Sequence, residues 1–126
     1  MNDPVLIVDD SATIRMQVRR ILTEAKHTVV EALDGADAWD KLAAGNRYSL
    51  IISDINMPRM NGIELLERMR SAGDATPILM LTAEGAAEFV QKARQLGASG
   101  WLLKPINAQH LQSALNKFVP QQPGER

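Results

Sequence analysis

Residues 50–54 of the sequence read Leu50-Ile51-Ile52-Ser53-Asp54, in which a short apolar run over residues 50–52 leads through a serine to an acid. Because the run is continuously apolar, it is typical of a strand that is buried on both faces, as strands are in parallel sheets. A similar run, Val5-Leu6-Ile7-Val8, directly precedes the acid pair Asp9-Asp10. Both runs therefore predict buried strands that are followed by carboxylates.

Further apolar runs alternate with stretches of helical period along the rest of the chain. Residues 28–30, 77–81 and 101–103 are predicted as strands. The apolar stripe of the fourth predicted helix, for example, consists of Phe89, Val90, Ala93 and Leu96. Five strand–helix repeats indicate parallel strands joined by right-handed crossovers, with helices on both faces of the sheet. The sequence therefore predicts an α/β fold, a doubly wound five-stranded parallel sheet of the flavodoxin-like order 2-1-3-4-5.

Length and composition fit one compact domain. The chain has 126 residues, 45% of them hydrophobic and 23% charged, with a formal net charge of −1 and no cysteine. The charge gives no reason to expect a nucleic acid or membrane partner, and disulfides are excluded. No apolar run approaches the roughly 20 residues of a spanning helix, and the N-terminus lacks signal-peptide features. We expect a cytoplasmic monomer with its domain over residues 1–119 and a flexible tail over 120–126.

Polar residues follow the predicted strands at the edge where such sheets bind ligands, beyond the carboxyl ends of the strands. They are Asp9, Asp10, Asp54, Asn56, Thr82 and Lys104. Converging carboxylates repel one another, and burial raises the pKa of a carboxylate unless a cation neutralises the group. Mg²⁺, which prefers oxygen ligands, would provide that charge, and Lys104 could offset more of it. Glu31 follows the second strand, which lies at the sheet edge, and is a weaker candidate.

Each of these residues also has an ordinary structural explanation. Ser11 or Asp10 can cap the first helix, and Asp54 alone could be a loop residue at a strand end. A cap needs only one side chain, however, whereas Asp9 and Asp10 are two acids in a row. Because the polar residues follow the central strands together, the combination indicates a site.

Four segments together resemble the receiver domain of two-component response regulators, specifically the stand-alone chemotaxis type, the CheY-like proteins. They are Val8-Asp9-Asp10-Ser11, Ser53-Asp54-Ile55-Asn56-Met57-Pro58, Leu81-Thr82-Ala83 and Lys104-Pro105. Each segment alone is a weak signal, but all four occur in order and each follows a strand. The resemblance extends from residue 5 to about residue 118.

The resemblance implies a phosphoacceptor and a set of metal ligands. Asp54 would take up the phosphoryl group. Asp9 and Asp10 would hold Mg²⁺, one directly and the other largely through water. Asp54 and the backbone carbonyl of Asn56 would complete the protein ligands.

The resemblance also implies residues that bind the phosphoryl group and transmit the signal. Lys104 would bind one phosphoryl oxygen, across a cis Lys104–Pro105 bond, and Thr82 would bind another and act as the switch. Trp101 stands where the family usually has tyrosine or phenylalanine, and its larger ring predicts partial or biased inward rotation; packing at the edge strand is the alternative. Glu84 is expected to tune the phosphate lifetime, or to be an acid favoured at a helix start.

The expected function is that of a phosphoprotein that receives its phosphoryl group from a sensor histidine kinase. It would catalyse only its own phosphorylation and dephosphorylation, and it would signal by docking, with a flagellar switch protein as the leading partner and a phosphatase as a further one. A phosphorelay intermediate or a phosphate sink is the alternative. A phosphate-independent binding module is disfavoured by the intact site. A phosphatase of the haloacid dehalogenase type is disfavoured because it requires aspartate where Asn56 stands.

Other polar residues are interpreted as surface. Arg15, Arg19 and Arg20 are expected to form a solvated helix face, with contact to a partner as the alternative. His27 and His110 lie away from the predicted strand ends.

Overall fold

The computed structural model describes residues 3–57, 59–83 and 87–118, and over these residues it alternates strands with helices. The strands are β1 (Val5–Val8), β2 (Val29–Ala32), β3 (Leu50–Asp54), β4 (Ile78–Thr82) and β5 (Gly100–Leu103). The helices are α1 (Ala12–Glu24), α2 (Gly35–Ala43), α3 (Gly62–Ser71), α4 (Ala87–Gln95) and α5 (Ala108–Phe118). None of these helices has the length and apolar character needed to cross a membrane.

The strands form one parallel sheet in the order β2-β1-β3-β4-β5, which confirms the predicted topology. In the register of the sheet, Val8 pairs with Ser53, and Asp54 pairs with Leu81. The residues that follow β1, β3 and β4 therefore meet at one edge, the carboxyl edge of the sheet.

The core lies on both faces of the three central strands, whose residues are all buried. On one face, Leu6 and Ile51 pack with residues of α3 such as Leu66. On the other face, Ile7 and Ile52 belong to a cluster with residues of α1 and α5. The continuous apolar runs of the sequence follow from this double burial, because neither face of a central strand meets water.

Helix starts near the carboxyl edge are fixed by side-chain caps. Ser11, and not Asp10, caps α1: its Oγ accepts from the backbone N–H of Ile14. Asn61 caps α3 in a reciprocal capping box with Glu64. The next residue, Gly62, lies so close to the backbone carbonyl of Asp54 that a Cβ would collide with it. Glycine therefore lets α3 begin directly against the end of β3.

Helix α4 packs less of its predicted apolar stripe against the core than expected. Phe89 was predicted to face the core, but it is 41% exposed. Among the described side chains of α4, Ala93 is the buried one, so only a narrow stripe of this helix packs against the core. Leu96 follows the end of α4 and still packs against the core. The predicted tail over residues 120–126 lies outside the described residues.

Candidate functional site

Three carboxylates converge at the carboxyl edge of the sheet. Asp9 and Asp10 follow β1, and Asp54 is the last residue of the neighbouring strand β3. One oxygen from each lies within 4.8 Å of the other two. Asp9 is fully buried, Asp54 is 7% exposed, and Asp10 is exposed. The predicted acidic cluster therefore exists as a group with one open side, and we call it the acid triad.

Lys104 completes the polar group from the other side. It follows β5, and its backbone N–H donates to the carbonyl of Thr82 at 2.8 Å. Its Nζ lies 3.2 Å from Asp54 Oδ1 and 3.5 Å from Asp9 Oδ2. The bond from Lys104 to Pro105 is cis, as the resemblance implied. One ammonium thus faces two carboxylates of the triad.

The buried carboxylate of Asp9 is only partly satisfied. Its Oδ1 accepts from the backbone N–H of Ser11 at 2.9 Å, whereas Oδ2 has no hydrogen-bond partner among the described residues. The 3.5 Å approach of Lys104 is an ion-pair contact and is too long for a good hydrogen bond. Burial raises the pKa of Asp9, and the nearby charge of Asp54 adds to this, while the Ser11 N–H and Lys104 oppose it.

This donor set fits a small, hard divalent cation. The triad offers carboxylate oxygens that are close enough together to bind one ion. One of them, Asp9 Oδ2, is buried and has no hydrogen-bond partner among the described residues. Its negative charge exceeds what Lys104 alone can balance. Mg²⁺ takes oxygen ligands of this kind and keeps some of its waters, which the exposed side at Asp10 would admit.

Thr82 and Asn56 flank the triad. Thr82 is the last residue of β4 and is 2% exposed; its Oγ1 donates to the carbonyl of Ala83 at 3.2 Å. Asn56 is exposed, two residues beyond the end of β3. Glu84, the predicted tuning residue, lies outside the described residues.

Trp101 lies on the edge strand β5 and is 37% exposed, so its ring is turned outward. The guanidinium of Arg94, in α4, stands 4.8 Å from the centre of the indole ring. Phe89 and Leu103 are also exposed, at 41% and 60%. The described parts of α4 and β5 therefore present apolar side chains to solvent.

Arg15 was expected on a solvated helix face, and that expectation is wrong. Its side chain is only 13% exposed, because it lies between the end of β1 and β2. Nη1 donates to the backbone carbonyl of Asp9 at 2.7 Å, and Nε donates to Glu31 at 2.9 Å. Arg19, at 46% exposed, donates to the other oxygen of Glu31 and fits the expected surface position better. These two arginines, Arg19 before Arg15, lower the pKa of Glu31.

A second ion pair that sequence reasoning missed joins two loops beside the site. Arg59 donates to Asp34 through Nε at 2.7 Å and Nη2 at 3.2 Å. Asp34 is 5% exposed and also caps α2 by accepting from the N–H of Asp37. The spacing from Asp34 to Asp37 predicts a cap, but nothing local in the sequence identifies Arg59 as its partner.

The two histidines do not belong to the acid triad. His110 is exposed on α5, as expected, and His27 is half-buried just before β2.

Comparisons with known proteins agree with this geometry. The family profile described as the response regulator receiver domain matches residues 5–116. A chemotaxis protein CheY homolog of Campylobacter jejuni is 36% identical over 124 residues, which is 96% of this chain and 95% of that protein. The crystal structure of the chemotaxis protein CheY4 of Vibrio cholerae is 43% identical with a TM-score of 0.83, covering 94% of this chain and all of that one. A CheY-like receiver domain protein of Methanospirillum hungatei is 25% identical with a TM-score of 0.87, covering both chains fully. The chain therefore belongs to the response regulator receiver domain family.

Proposed function

We propose that this protein accepts a phosphoryl group on Asp54 in a Mg²⁺-dependent reaction and signals by docking in its phosphorylated form. The observation that carries the proposal is the acid triad with Lys104 facing it, 3.2 Å from Asp54 and 3.5 Å from Asp9. A carboxylate is a poor nucleophile, so it needs positioning and a neutralised surrounding. The place of Asp54 at the end of a buried central strand supports the positioning, and the ammonium of Lys104 supports the neutralisation.

The side chains would divide the work of phosphoryl transfer. Asp9, Asp10, Asp54 and the carbonyl of Asn56 would hold Mg²⁺, which when bound supplies positive charge for the phosphoryl oxygens. An Asp54 oxygen would attack phosphorus while the bond from phosphorus to the donor nitrogen of a phosphohistidine breaks. The departing imidazole keeps the electron pair of that bond. Lys104 would bind a phosphoryl oxygen, where its ammonium opposes the charge of the transferred group.

Thr82 would convert the added charge into a change of shape. A phosphoryl group brings about −1.5 to −2 charges and strong acceptor oxygens to the edge of the sheet. The hydroxyl of Thr82 now donates to Ala83, and it would turn to a phosphoryl oxygen instead. The space it leaves would let Trp101 turn inward, which shifts the population between two forms of the surface of α4, β5 and α5.

Chemotaxis is the proposed setting, because the Campylobacter jejuni and Vibrio cholerae relatives are named chemotaxis proteins. The proposed donor is a sensor histidine kinase, and the proposed target is a flagellar switch protein. On this proposal the chain acts on no substrate other than its own phosphoryl group. A pull-down from the source cells should retain a motor component only with beryllofluoride-treated protein. Equal capture by treated and untreated protein would contradict phosphorylation-dependent docking.

The direct test is phosphorylation by a small donor. Wild type, Asp54→Asn and Asp40→Asn are incubated with acetyl phosphate and Mg²⁺, and intact mass is measured. Asp40 is an exposed acid of α2 and serves as the matched control. We expect wild type and Asp40→Asn to gain one phosphoryl group, which a chelator prevents, and Asp54→Asn to gain none. Equal labelling of Asp54→Asn would rule out Asp54 as the acceptor.

The proposed switch can be followed through Trp101 alone. The chain has two tryptophans, so Trp39→Phe leaves Trp101 as the reporter. Beryllofluoride with Mg²⁺ should change the fluorescence emission of Trp101, but by less than complete inward rotation of the ring would. Arg94 stacks on the outward ring, a contact worth about 0.5–1 kcal/mol at exposed sites, so Arg94→Gln should raise the ratio of inward to outward ring about two- to fivefold. An unchanged spectrum in both backgrounds would mean that Trp101 does not move.

A further inference from the structure

Arg15 links α1 to the end of β1 and to β2 at the carboxyl edge, and the proposed mechanism gives this residue no role. It lies in the first turn of α1, four residues beyond the cap Ser11. Its guanidinium reaches back to the carbonyl of Asp9 at 2.7 Å and sideways to Glu31, at the end of β2, at 2.9 Å. A side chain that is 13% exposed and bonded at two edges of its fork is held in one orientation.

The carbonyl that Arg15 binds is part of the peptide group between Asp9 and Asp10. A peptide group is planar and includes the Cα atoms of both residues. A hydrogen bond to its oxygen therefore helps to fix the orientation of Asp9 and Asp10 together. The N–H of Asp9 is held in turn by the carbonyl of Ala32 at 3.2 Å. The backbone of Asp9 is thus bound on both sides, through β2 on one and through α1 on the other.

We propose that Arg15, held in place by Glu31, is a positioning residue that fixes the Asp9–Asp10 peptide and so aligns two carboxylates of the acid triad for a divalent cation. The inference rests on the proposed function, since it concerns the same site. Arg15 itself would touch neither the cation nor the phosphoryl group.

Charge and position predict opposite effects of removing Arg15. The guanidinium is a positive charge near the site, so its field alone opposes the binding of Mg²⁺, and its removal would tighten binding. If Arg15 positions the peptide, its removal releases Asp10 and weakens binding. Loss of a residue that orients a metal ligand typically costs 10- to 100-fold in metal affinity. The sign of the change therefore separates the two roles.

Arg19 provides a matched control. It lies one turn further along α1, carries the same charge and donates to the same carboxylate, Glu31, at 2.6 Å. Among the described contacts, only Arg15 of this pair reaches the carbonyl of Asp9. Arg15→Gln and Arg19→Gln thus remove equal charge from one helix, but only the first removes the bond to the site.

The experiment measures Mg²⁺ affinity by calorimetric titration of the full chain, with the free energy of unfolding measured separately in a chelator. We expect Arg15→Gln to weaken Mg²⁺ binding about tenfold, Arg19→Gln to bind as wild type does, and Arg15→Lys to recover only part of the loss. Glu31→Gln, which loosens Arg15 without touching Asp9, should weaken binding less than Arg15→Gln, but it also removes a negative charge. Arg15→Lys keeps the charge, so it carries the test if Arg15→Gln does not fold.

Two outcomes overturn the inference in distinguishable ways. Wild-type affinity or tighter binding in Arg15→Gln, or wild-type affinity in Arg15→Lys if Arg15→Gln does not fold, refutes the positioning role while wild type itself binds Mg²⁺, and it leaves the proposed function intact. Absence of Mg²⁺ binding by wild type refutes both. An equal loss in Arg19→Gln also refutes the role of Arg15, because Arg19 does not contact the carbonyl of Asp9 and the loss would then come from α1 as a whole.

Discussion

Asp9 is a carboxylate that the fold buries while satisfying only one of its two oxygens with a hydrogen bond. Its side chain is fully buried, Oδ2 has no hydrogen-bond partner among the described residues, and burial together with Asp54 raises its pKa. An acid whose pKa is higher in the folded than in the unfolded chain binds its proton more tightly when folded. At neutral pH the ionised Asp9 therefore destabilises the metal-free fold, and this penalty is relieved as the pH falls through the raised pKa.

Replacing that carboxylate should stabilise the metal-free protein. Asp9→Asn keeps an acceptor for the Ser11 N–H and removes the charge, so we expect the free energy of unfolding at pH 7 in a chelator to rise by about 1 kcal/mol. Added Mg²⁺ should stabilise wild type and not this variant. Urea denaturation measures both, with Asp40→Asn as the control at an exposed position. If Asp9→Asn is less stable than wild type without metal, the buried charge of Asp9 does not destabilise the metal-free fold.

Residues at strand ends could be predicted from the sequence, whereas the side chain of Arg15 could not. A continuous apolar run indicates where a buried strand ends, so the positions of Asp9 and Asp54 at strand ends follow from local pattern alone. The position of Arg15 depends on Glu31, sixteen residues away, and on the pairing of Val8 with Ala32 between β1 and β2. No local pattern contains that pairing. A basic residue one turn into α1 looks the same whether it meets water or a carbonyl.

At the scale of elements, two loops are fastened together beside the acid triad. Asp34 and Arg59 join the loop before α2 to the loop before α3, and the N–H of Gly35 donates to the carbonyl of Met60 at 3.0 Å. A Cβ at position 35 would collide with that same carbonyl. Residues 59 and 60, before α3, are therefore anchored to the start of α2.

Asp34 should contribute to stability in two separable ways. Asp34→Ala removes the cap of α2, worth about 1–2 kcal/mol, together with the ion pair. Asp34→Asn keeps a capping oxygen and loses the charge, so it should cost less. Arg59 holds the pKa of Asp34 below its ordinary value of 3.8, so the contribution of the charge is present above that value and is lost as the pH falls through the lowered pKa.

Urea denaturation at pH 7 and at pH 3 distinguishes these contributions. The difference between wild type and Asp34→Asn should shrink at pH 3, whereas the capping difference between Asp34→Asn and Asp34→Ala should persist. A difference between wild type and Asp34→Asn that does not depend on pH would mean that the pair with Arg59 contributes nothing.

The strands were predicted to within a residue or two, whereas the buried face of a helix that packs on one side only was predicted less well. All five strands were located from apolar runs, which are continuous in the three central strands because these are buried on both faces. Their order was predicted from the number of strand–helix repeats, for which the flavodoxin-like order is the natural choice. The prediction that Phe89 faces the core was wrong, because spacing shows which residues of a helix share a face but not how much of that face the neighbouring elements cover. In α4 the covered part of the face centres on Ala93.

At the scale of the molecule, the core and the site occupy different parts of the same sheet. The faces of the sheet carry the two apolar clusters, and its carboxyl edge carries the charged groups. Leu22 is fully buried near the far end of α1, about 15 Å along the helix from its first residue. The core can therefore be weakened without direct contact with the acid triad.

This separation predicts that a core substitution and Mg²⁺ binding make additive contributions to the free energy of unfolding. Leu22→Ala should lower the free energy of unfolding by about 2–5 kcal/mol, because it leaves a cavity between α1 and the sheet. Mg²⁺ at ten times its dissociation constant should raise that free energy by about 1.4 kcal/mol in wild type and by the same amount in Leu22→Ala, since distant sites in one cooperative domain are additive. Asp9→Asn should show the reverse pattern, a more stable metal-free fold and no gain from Mg²⁺. A Mg²⁺ increment that disappears in Leu22→Ala would instead mean that α1 transmits core packing to the site.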